Sequence, residues 1–209
     1  MSNPVIENVR KSLERTDHSP DSPRPEIPGP RLAETTDLEI ERYLKEIRAL
    51  SAVGERLRPA EIAGALKALV GEQKIRKAAV WDTPLLKQLQ VRDHLQALGV
   101  ELVPPDADKH LLAQCDLGVT EADFILPETG TLGLRSSAEK PRAVSLLPYV
   151  HLAIVSPEAL RADLHQVFAE TAQESYLVLI TGPSRTSDIE LTTTLGMHGP
   201  RYLYVYVVE

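Results

Sequence analysis

The chain has 209 residues, 43% of them hydrophobic and 25% charged, the proportions of one ordinary α/β domain with a sizeable core. A formal net charge of -7, with no cluster of Lys and Arg interleaved with aromatics, argues against nucleic acid as a partner. No apolar stretch approaches the roughly 20 residues of a spanning helix, and the first residues carry neither a signal-peptide core nor a lipidation motif, so a cytoplasmic protein without a membrane span is expected.

In chain order, an amphipathic stretch over residues 3–15, with Val5, Ile6, Val9 and Leu13 as a narrow stripe, is marginal as an isolated helix. It reads as a helical arm over residues 1–18 that packs either on its own domain or on a partner. Five prolines between Pro20 and Pro30 favour extended backbone and mark a linker over residues 19–35. The domain, residues 36–209, opens on Thr36-x-x-Glu39, the spacing of a capping box, ahead of Ile40, Tyr43, Leu44, Ile47 and Leu50. An edge strand at residues 53–57 is followed by a helix opened by Pro59, with Ile62, Ala63, Leu66, Leu69 and Val70 on one face and Gly71 after its end. Residues 78–81, a helix capped by Thr83 and opened by Pro84, and residues 100–103 then form a strand, helix, strand unit whose crossover joins parallel strands. Further strands are expected at 116–120, 124–126, 131–134, 143–147 and 151–155, where short spacings favour antiparallel pairing. A helix capped by Ser156 and opened by Pro157 runs to about Glu170, before strands at 176–181 and 202–208. The fold class is α/β, a mixed β-sheet flanked by helices.

Cys115 is the only cysteine, which excludes an internal disulfide, a Cys-ligated iron-sulfur cluster within the chain and a Cys-type zinc site. It is read as a small buried residue rather than a nucleophile. None of the six His pair at spacings that put two imidazoles on one helix face, so this chain is expected to bind no metal or cofactor.

The most informative stretch is C-terminal. The apolar run 176–180 stops at Thr181, Gly182, Ser184, Arg185, Thr186 and Asp188, with His198 following between Gly196 and Gly199. It reads as a buried strand delivering a loop to a site. Ligands of open α/β sheets sit beyond the carboxyl ends of strands, which selects Thr120-Glu121, Glu128-Thr129-Gly130-Thr131 and Thr181-Gly182-Pro183-Ser184-Arg185. Arg185 either grips a carboxylate or phosphate with its planar fork or pairs with Asp188 or Glu190 to hold the loop. One glycine and no following Lys make a poor P-loop, which argues against nucleoside triphosphates. His198 is a candidate general acid or base, or a hydrogen-bond partner of the Glu128 loop. His151, opening an apolar strand, reads as a satisfied buried histidine. Thr192 to Thr194 pack or cap.

Glu128-Thr-Gly-Thr131, Leu147-Pro148-x-x-His151, Ile180-Thr-Gly-Pro-Ser-Arg-Thr-Ser-Asp-Ile-Glu190 and Gly196-x-His-Gly-Pro200 resemble the motifs of the lactate utilization protein C (LutC/YkgG) family, the LUD-domain proteins. The resemblance covers the chain from about Thr36 and makes residues 36–209 the LUD domain. It implies a fold like that of the NagB/RpiA/CoA-transferase group and a role in oxidising L-lactate to pyruvate beside two iron-sulfur partner proteins. This chain would then be the non-redox subunit, binding a small anionic ligand or docking those partners, with iron-sulfur clusters only in the partners. The alternative is a stand-alone acyl-CoA transferase with Glu128 as nucleophile. The competing role for Glu128 is a carboxylate accepting loop N–H bonds or pairing with a cation, Arg135 being nearby in sequence. The expected site comprises catalytic Glu128 and His198, with Thr129, Gly130, Thr131, Thr181, Gly182, Ser184, Arg185, Thr186, Asp188 and Gly199 binding ligand.

Overall fold

The computed structural model describes residues 4–12, 26, 29–173, 176–187 and 193–209. Helix α1 (Pro4–Ser12) is followed by α2 (Thr36–Ala49), which turns Ile40, Tyr43, Leu44 and Ile47 into the core at the spacing of a helix face. The start of α2 departs from a capping box. Thr35 is the cap residue and makes no side-chain bond. Glu39 is fully buried and accepts the Glu34 backbone N–H at 2.9 Å and two bonds from Arg31, at 2.7 and 2.9 Å. A forked, charge-assisted pair is a stronger partner for a buried carboxylate than one cap N–H, so Arg31 takes it. Arg31 also donates its backbone N–H to Asp163 Oδ2 at 2.6 Å and its Nε to the Ala162 carbonyl at 3.0 Å. It lies within the stretch read as linker, yet these contacts fasten it to the domain.

The strands are β1 (Val53–Leu57), β2 (Lys77–Val80), β3 (Glu101–Val103), β4 (Leu117–Glu121), β5 (Phe124–Leu126), β6 (Thr131–Arg135), β7 (Val150–Val155), β8 (Leu177–Ile180), β9 (Arg185–Ser187), β10 (Thr193–Leu195) and β11 (Tyr202–Val208). Six of them form one sheet in the order β1-β11-β7-β4-β2-β3, and every pair is parallel. β1 is an edge strand, as expected. β4 and β7, expected to pair antiparallel, are instead central parallel strands. β7 is buried along its whole length and β4 except at Glu121, as parallel strands covered on both faces are. Antiparallel pairing is confined to a second sheet, β5-β6-β8, and to the hairpin β9-β10. Both senses of pairing are thus present, segregated into separate sheets. β8 sits in the small sheet and is only partly covered, so it is not the buried strand that its apolar run suggested.

Other local differences have local causes. The helix after Pro59 runs through Gly71 as α3 (Ile62–Gln73) and ends at Lys74, which is left-handed with φ 54. The helix after Pro84 is two, α4 (Pro84–Gln88) and α5 (Val91–Ala97), broken where Gln90 turns left-handed at φ 51. A further turn, α6 (Lys109–Leu112), is capped by Asp108. Residues 143–147 are not a strand but α7 (Ala143–Leu146), since a run this short satisfies either period. The carbonyl of Val144 packs so closely on β4 that a Cβ at Gly118 would lie 1.9 Å from it. The helix expected from Ser156 stops after a 3-10 turn, Pro157–Ala159. There Leu160 bridges to Ile125 and Arg161 donates its N–H to the Ile125 carbonyl at 3.0 Å, so strand-like pairing interrupts the helix. It resumes as α8 (Leu164–Thr171), capped by Asp163. The main core spans the parallel sheet, α2, α3 and α5, with Trp81 and Tyr43 its largest buried side chains. Phe124, Leu126 and Val167 form a smaller cluster between the second sheet and α8.

Arg31→Met removes both short bonds to the buried Glu39 carboxylate, leaving it only the more distant Arg42 at 3.5 Å as counter-charge, and is expected to cost about 3 kcal/mol in urea unfolding at pH 7. Arg31 holds the Glu39 carboxyl below the usual carboxylate range, so its stabilisation is present above that range and lost as pH falls through the folded-state value. The deficit of the variant therefore narrows as the protein is acidified below about pH 5.

Candidate functional site

The two C-terminal motifs close on one another. In the β9-β10 hairpin Leu195 faces Arg185 and Thr194 faces Thr186. Ser184 donates its N–H to the Pro200 carbonyl at 3.0 Å, and Gly196 donates to the Ser184 carbonyl at 2.9 Å. At Gly199 a Cβ would lie 3.2 Å from that of Ser184, so a small residue there lets the segments touch. Beneath this closure lies a cavity of about 200 Å³ whose lining includes Ser145, His151, Thr181, Ser184, His198 and Leu203. Gly182 and Gly199 also line it. Thr181 to Ser184 reach it from just past the carboxyl end of β8, as expected, but relative to the parallel sheet it lies at the other end, because His151 and Leu203 are the second residues of β7 and β11. The cavity lies between the amino-terminal ends of these strands, α7 and β8.

Within it, His198 is exposed and Ser184 half-buried, whereas His151 is fully buried with Nε2 2.8 Å from Thr120 Oγ1. Burial disfavours the imidazolium and pushes the pKa of His151 down to about 3, so its ring is neutral at neutral pH. The satisfied buried histidine read from the sequence is present. The sequence reading missed that the same ring borders a cavity, although the Leu147-Pro148-x-x-His151 motif pointed to it.

The 128–131 turn meets this region through hydroxyls. Thr129 and Thr131 Oγ1 lie 2.8 Å apart, and Thr131 and Thr181 Oγ1 lie 2.7 Å apart. Gly130 has φ +59, and a Cβ there would come within 2.8 Å of Ile47 N, so the turn seats on the last turn of α2. Gly182 packs on Leu50 beside it. Arg185 donates to the Leu50 carbonyl and, at 3.2 Å, to Ser51 Oγ, closing the C-terminal end of α2. Its holding partner is thus α2; Asp188 and Glu190 lie outside the described residues, as does Thr192.

Glu128 stands apart from His198. Its side chain is 55% exposed and 3.5 Å from Arg31 Nε. Among the described residues its cation partner is Arg31, while Arg135 reaches Glu170 at 3.8 Å and donates its backbone N–H to Asp123. Glu128 borders a cavity of about 210 Å³ with Thr129, Asp163 and His165, and an open groove of about 780 Å³ with Arg42, Lys45 and Arg48. Neither includes His198, and the His198 cavity does not include Glu128, so in these three cavities, among the described residues, the two candidate catalytic residues lie apart. Cys115 is buried, and desolvation pushes its thiol up to about 11, the environment of an inert thiol.

This fold and this pair of interlocking motifs define a LUD domain: that family matches residues 39–208, and the chain belongs to it. It is 33% identical over 156 residues to lactate utilization protein C of Halalkalibacterium halodurans, an overlap covering 69% of this chain and 68% of that protein. The protein of the same name from Shouchella clausii is 31% identical over 144 residues, covering 64% of this chain and 63% of the relative, somewhat under two thirds of its length. A crystal structure of a DUF162 family protein from Deinococcus radiodurans shares the fold, with a TM-score of 0.64 and 21% identity over 85% of this chain and 100% of that one. Among the described residues no helix is long and apolar enough to cross a membrane.

His151 supplies a pH signature. Its folded-state pKa is depressed, so the unfolded chain takes up the proton first and stability falls as pH drops below about 6.5, at up to about 1.4 kcal/mol per pH unit until the folded value is reached. His151→Gln is expected to flatten the pH 6.5 to 5 segment of the urea-midpoint profile relative to the unmodified protein.

Proposed function

We propose that this LUD-domain chain is the non-redox component of an L-lactate utilization system, and that the cavity beneath the 184–200 closure holds the small organic acid. The observation that carries this reading is the cavity's composition. A polar end formed by His198 and Ser184 faces an apolar floor that includes Val178 and Leu203, in a volume suited to an acid of a few carbon atoms. The carboxylate would lie against the His198 imidazole and the Ser184 hydroxyl, and the short carbon chain against the floor. Oxidation of lactate to pyruvate releases two electrons and two protons, and in this reading iron-sulfur partner proteins take the electrons. The chain's own donor set does not fit a cluster: it has one Cys, buried, with its thiol pKa raised. Its part is to bind and orient the acid and to present it to those partners. The relatives named lactate utilization protein C support the lactate-utilization part of this reading.

A second reading, acyl transfer through Glu128, is favoured by one observation: the groove beside this exposed carboxylate carries, among Glu41 and Glu46, the cations Arg42, Lys45 and Arg48. Of these Lys45 is, among the described residues, the one not bonded to a carboxylate or carbonyl and so best placed to meet a phosphate of CoA. It requires a covalent acyl adduct on Glu128.

Calorimetric titration with L-lactate and pyruvate separates the two. We expect saturable binding that His198→Ala and Ser184→Ala each weaken by about tenfold, corresponding to one charge-assisted hydrogen bond, while Glu128→Gln binds like the unmodified protein. Loss of binding in Glu128→Gln alone, or no binding at all, contradicts the proposal.

A further inference from the structure

The Leu147-Pro148-x-x-His151 motif ends on a side chain that the proposed function leaves idle. His151 stands in β7 between Gly118 of β4 and Leu203 of β11, and lateral partners in a sheet share a face. That face is the one covered by α7: a Cβ at Gly118 would lie 1.9 Å from the Val144 carbonyl oxygen and 3.0 Å from the Pro148 ring, and Leu203 lines the cavity. With no side chain at Gly118, the imidazole has lateral room to reach Thr120, two residues further along β4 on the same face. The bond between Nε2 and Thr120 Oγ1 is the ring's one hydrogen bond among the described residues. Nδ1 is left uncommitted in a ring that borders the cavity.

The lining of that cavity is graded from its mouth inward. His198 and Thr181 are exposed and Ser184 is half-buried, whereas Ser145 and His151 are its buried polar side chains. Ser145 commits its proton to the Arg142 carbonyl at 2.9 Å and is left an acceptor, and burial keeps the His151 ring neutral. Neither offers a positive charge, so a carboxylate buried against them would be costly. The carboxylate of a bound acid therefore belongs at the exposed end, with His198 and Ser184, and any polar group turned inward is uncharged.

We propose that His151 Nδ1 reads an oxygen on the carbon next to the carboxylate, so that the cavity selects 2-hydroxy and 2-oxo acids over unsubstituted acids of the same length. This inference rests on the proposal that the cavity holds an organic acid. The pairing with Thr120 lets one ring serve both classes. When Thr120 donates its hydroxyl proton to Nε2, the imidazole carries its own proton on Nδ1 and donates to a ketone oxygen. When Nε2–H donates to Thr120 Oγ1 instead, Nδ1 accepts from an alcohol O–H. Both tautomers are neutral, so the alcohol and the ketone meet the same residue without a change of charge in the core. Thr120, which is not among the lining residues, is a positioning residue for the ring.

Calorimetric titration of the full chain with L-lactate, pyruvate and propionate, acids of the same carbon skeleton, tests the assignment. Lactate and pyruvate are expected to bind at least about tenfold more tightly than propionate, the difference made by one hydrogen bond to a buried group. His151→Gln, whose amide keeps a partner for Thr120 but has no group at the place of Nδ1, is expected to bring lactate and pyruvate to within about twofold of propionate. Nitrogen-15 NMR of the unmodified protein gives a readout independent of how the variant folds. The His151 Nδ1 signal is expected to shift on saturation with lactate or pyruvate and to stay in place with propionate. Equal affinities for the three acids, a preference that survives His151→Gln, or an unmoved Nδ1 signal overturns this inference and leaves the cavity an acid site. Absence of binding by all three acids overturns both.

Discussion

The architecture depends on a buried carboxylate held by an arginine from outside the helix. Glu39 lies on the core-facing side of α2, where an unpaired carboxylate would be prohibitively costly. Arg31 neutralises it with two hydrogen bonds, and the rest of the arginine's capacity goes to Asp163 and Ala162 at the entrance of α8. A buried ion pair of this kind gives little net stability over an apolar pair of the same shape, but it accepts few alternative arrangements. Here it fixes the segment ahead of α2, α2 itself and the start of α8 relative to one another. Glu128, 3.5 Å from the same guanidinium, is drawn to this cluster rather than to His198.

The far end of α2 completes the frame. Gly130 seats on Ile47, Gly182 on Leu50, and Arg185 on the Leu50 carbonyl, so the small antiparallel sheet and the C-terminal hairpin are both referenced to one helix terminus. The conspicuous polar residues of these segments therefore divide their labour. Thr129, Thr131, Thr181 and Arg185 hold the segments in place, while Ser184 and His198 are left facing the cavity between the two sheets. A neutral His151, locked to Thr120, forms part of that cavity's wall without contributing charge, so the hydrogen-bonding groups left to meet an anion include the His198 ring and the Ser184 hydroxyl.

Much of this was legible in the sequence where a pattern has one solution. The apolar face of α2, the edge strand β1, the β2-to-β3 crossover and the last strand follow from periodicity and from Pro and Gly placement. The segment around residues 116–155 was misread because its spacing is short for a reason that spacing cannot reveal: the hairpin β5-β6 and helix α7 are inserted between two parallel strands, so β4 and β7 pair with each other only after a detour. Residues 143–147 are apolar at both helical and strand periods, and Pro141 with the close seat at Gly118 decides for helix. Of the site, the interlocking of Ser184 with the 196–200 segment was foreshadowed by motif density alone. Arg31 was hidden by its proline-rich neighbourhood, and the separation of Glu128 from His198 needed the register Leu132 to Ile180, which places the 128–131 turn toward α2.

The central claim is that the cavity at His198, not the cavity beside Glu128, receives the organic acid. Nitrogen-15 NMR of the histidine rings during a titration with L-lactate or pyruvate reads both places at once, because His198 borders one cavity and His165 borders the one beside Glu128. The account predicts saturable shifts at His198 with His165 unmoved; shifts at His165 with His198 silent, or no shift at either ring, would contradict it.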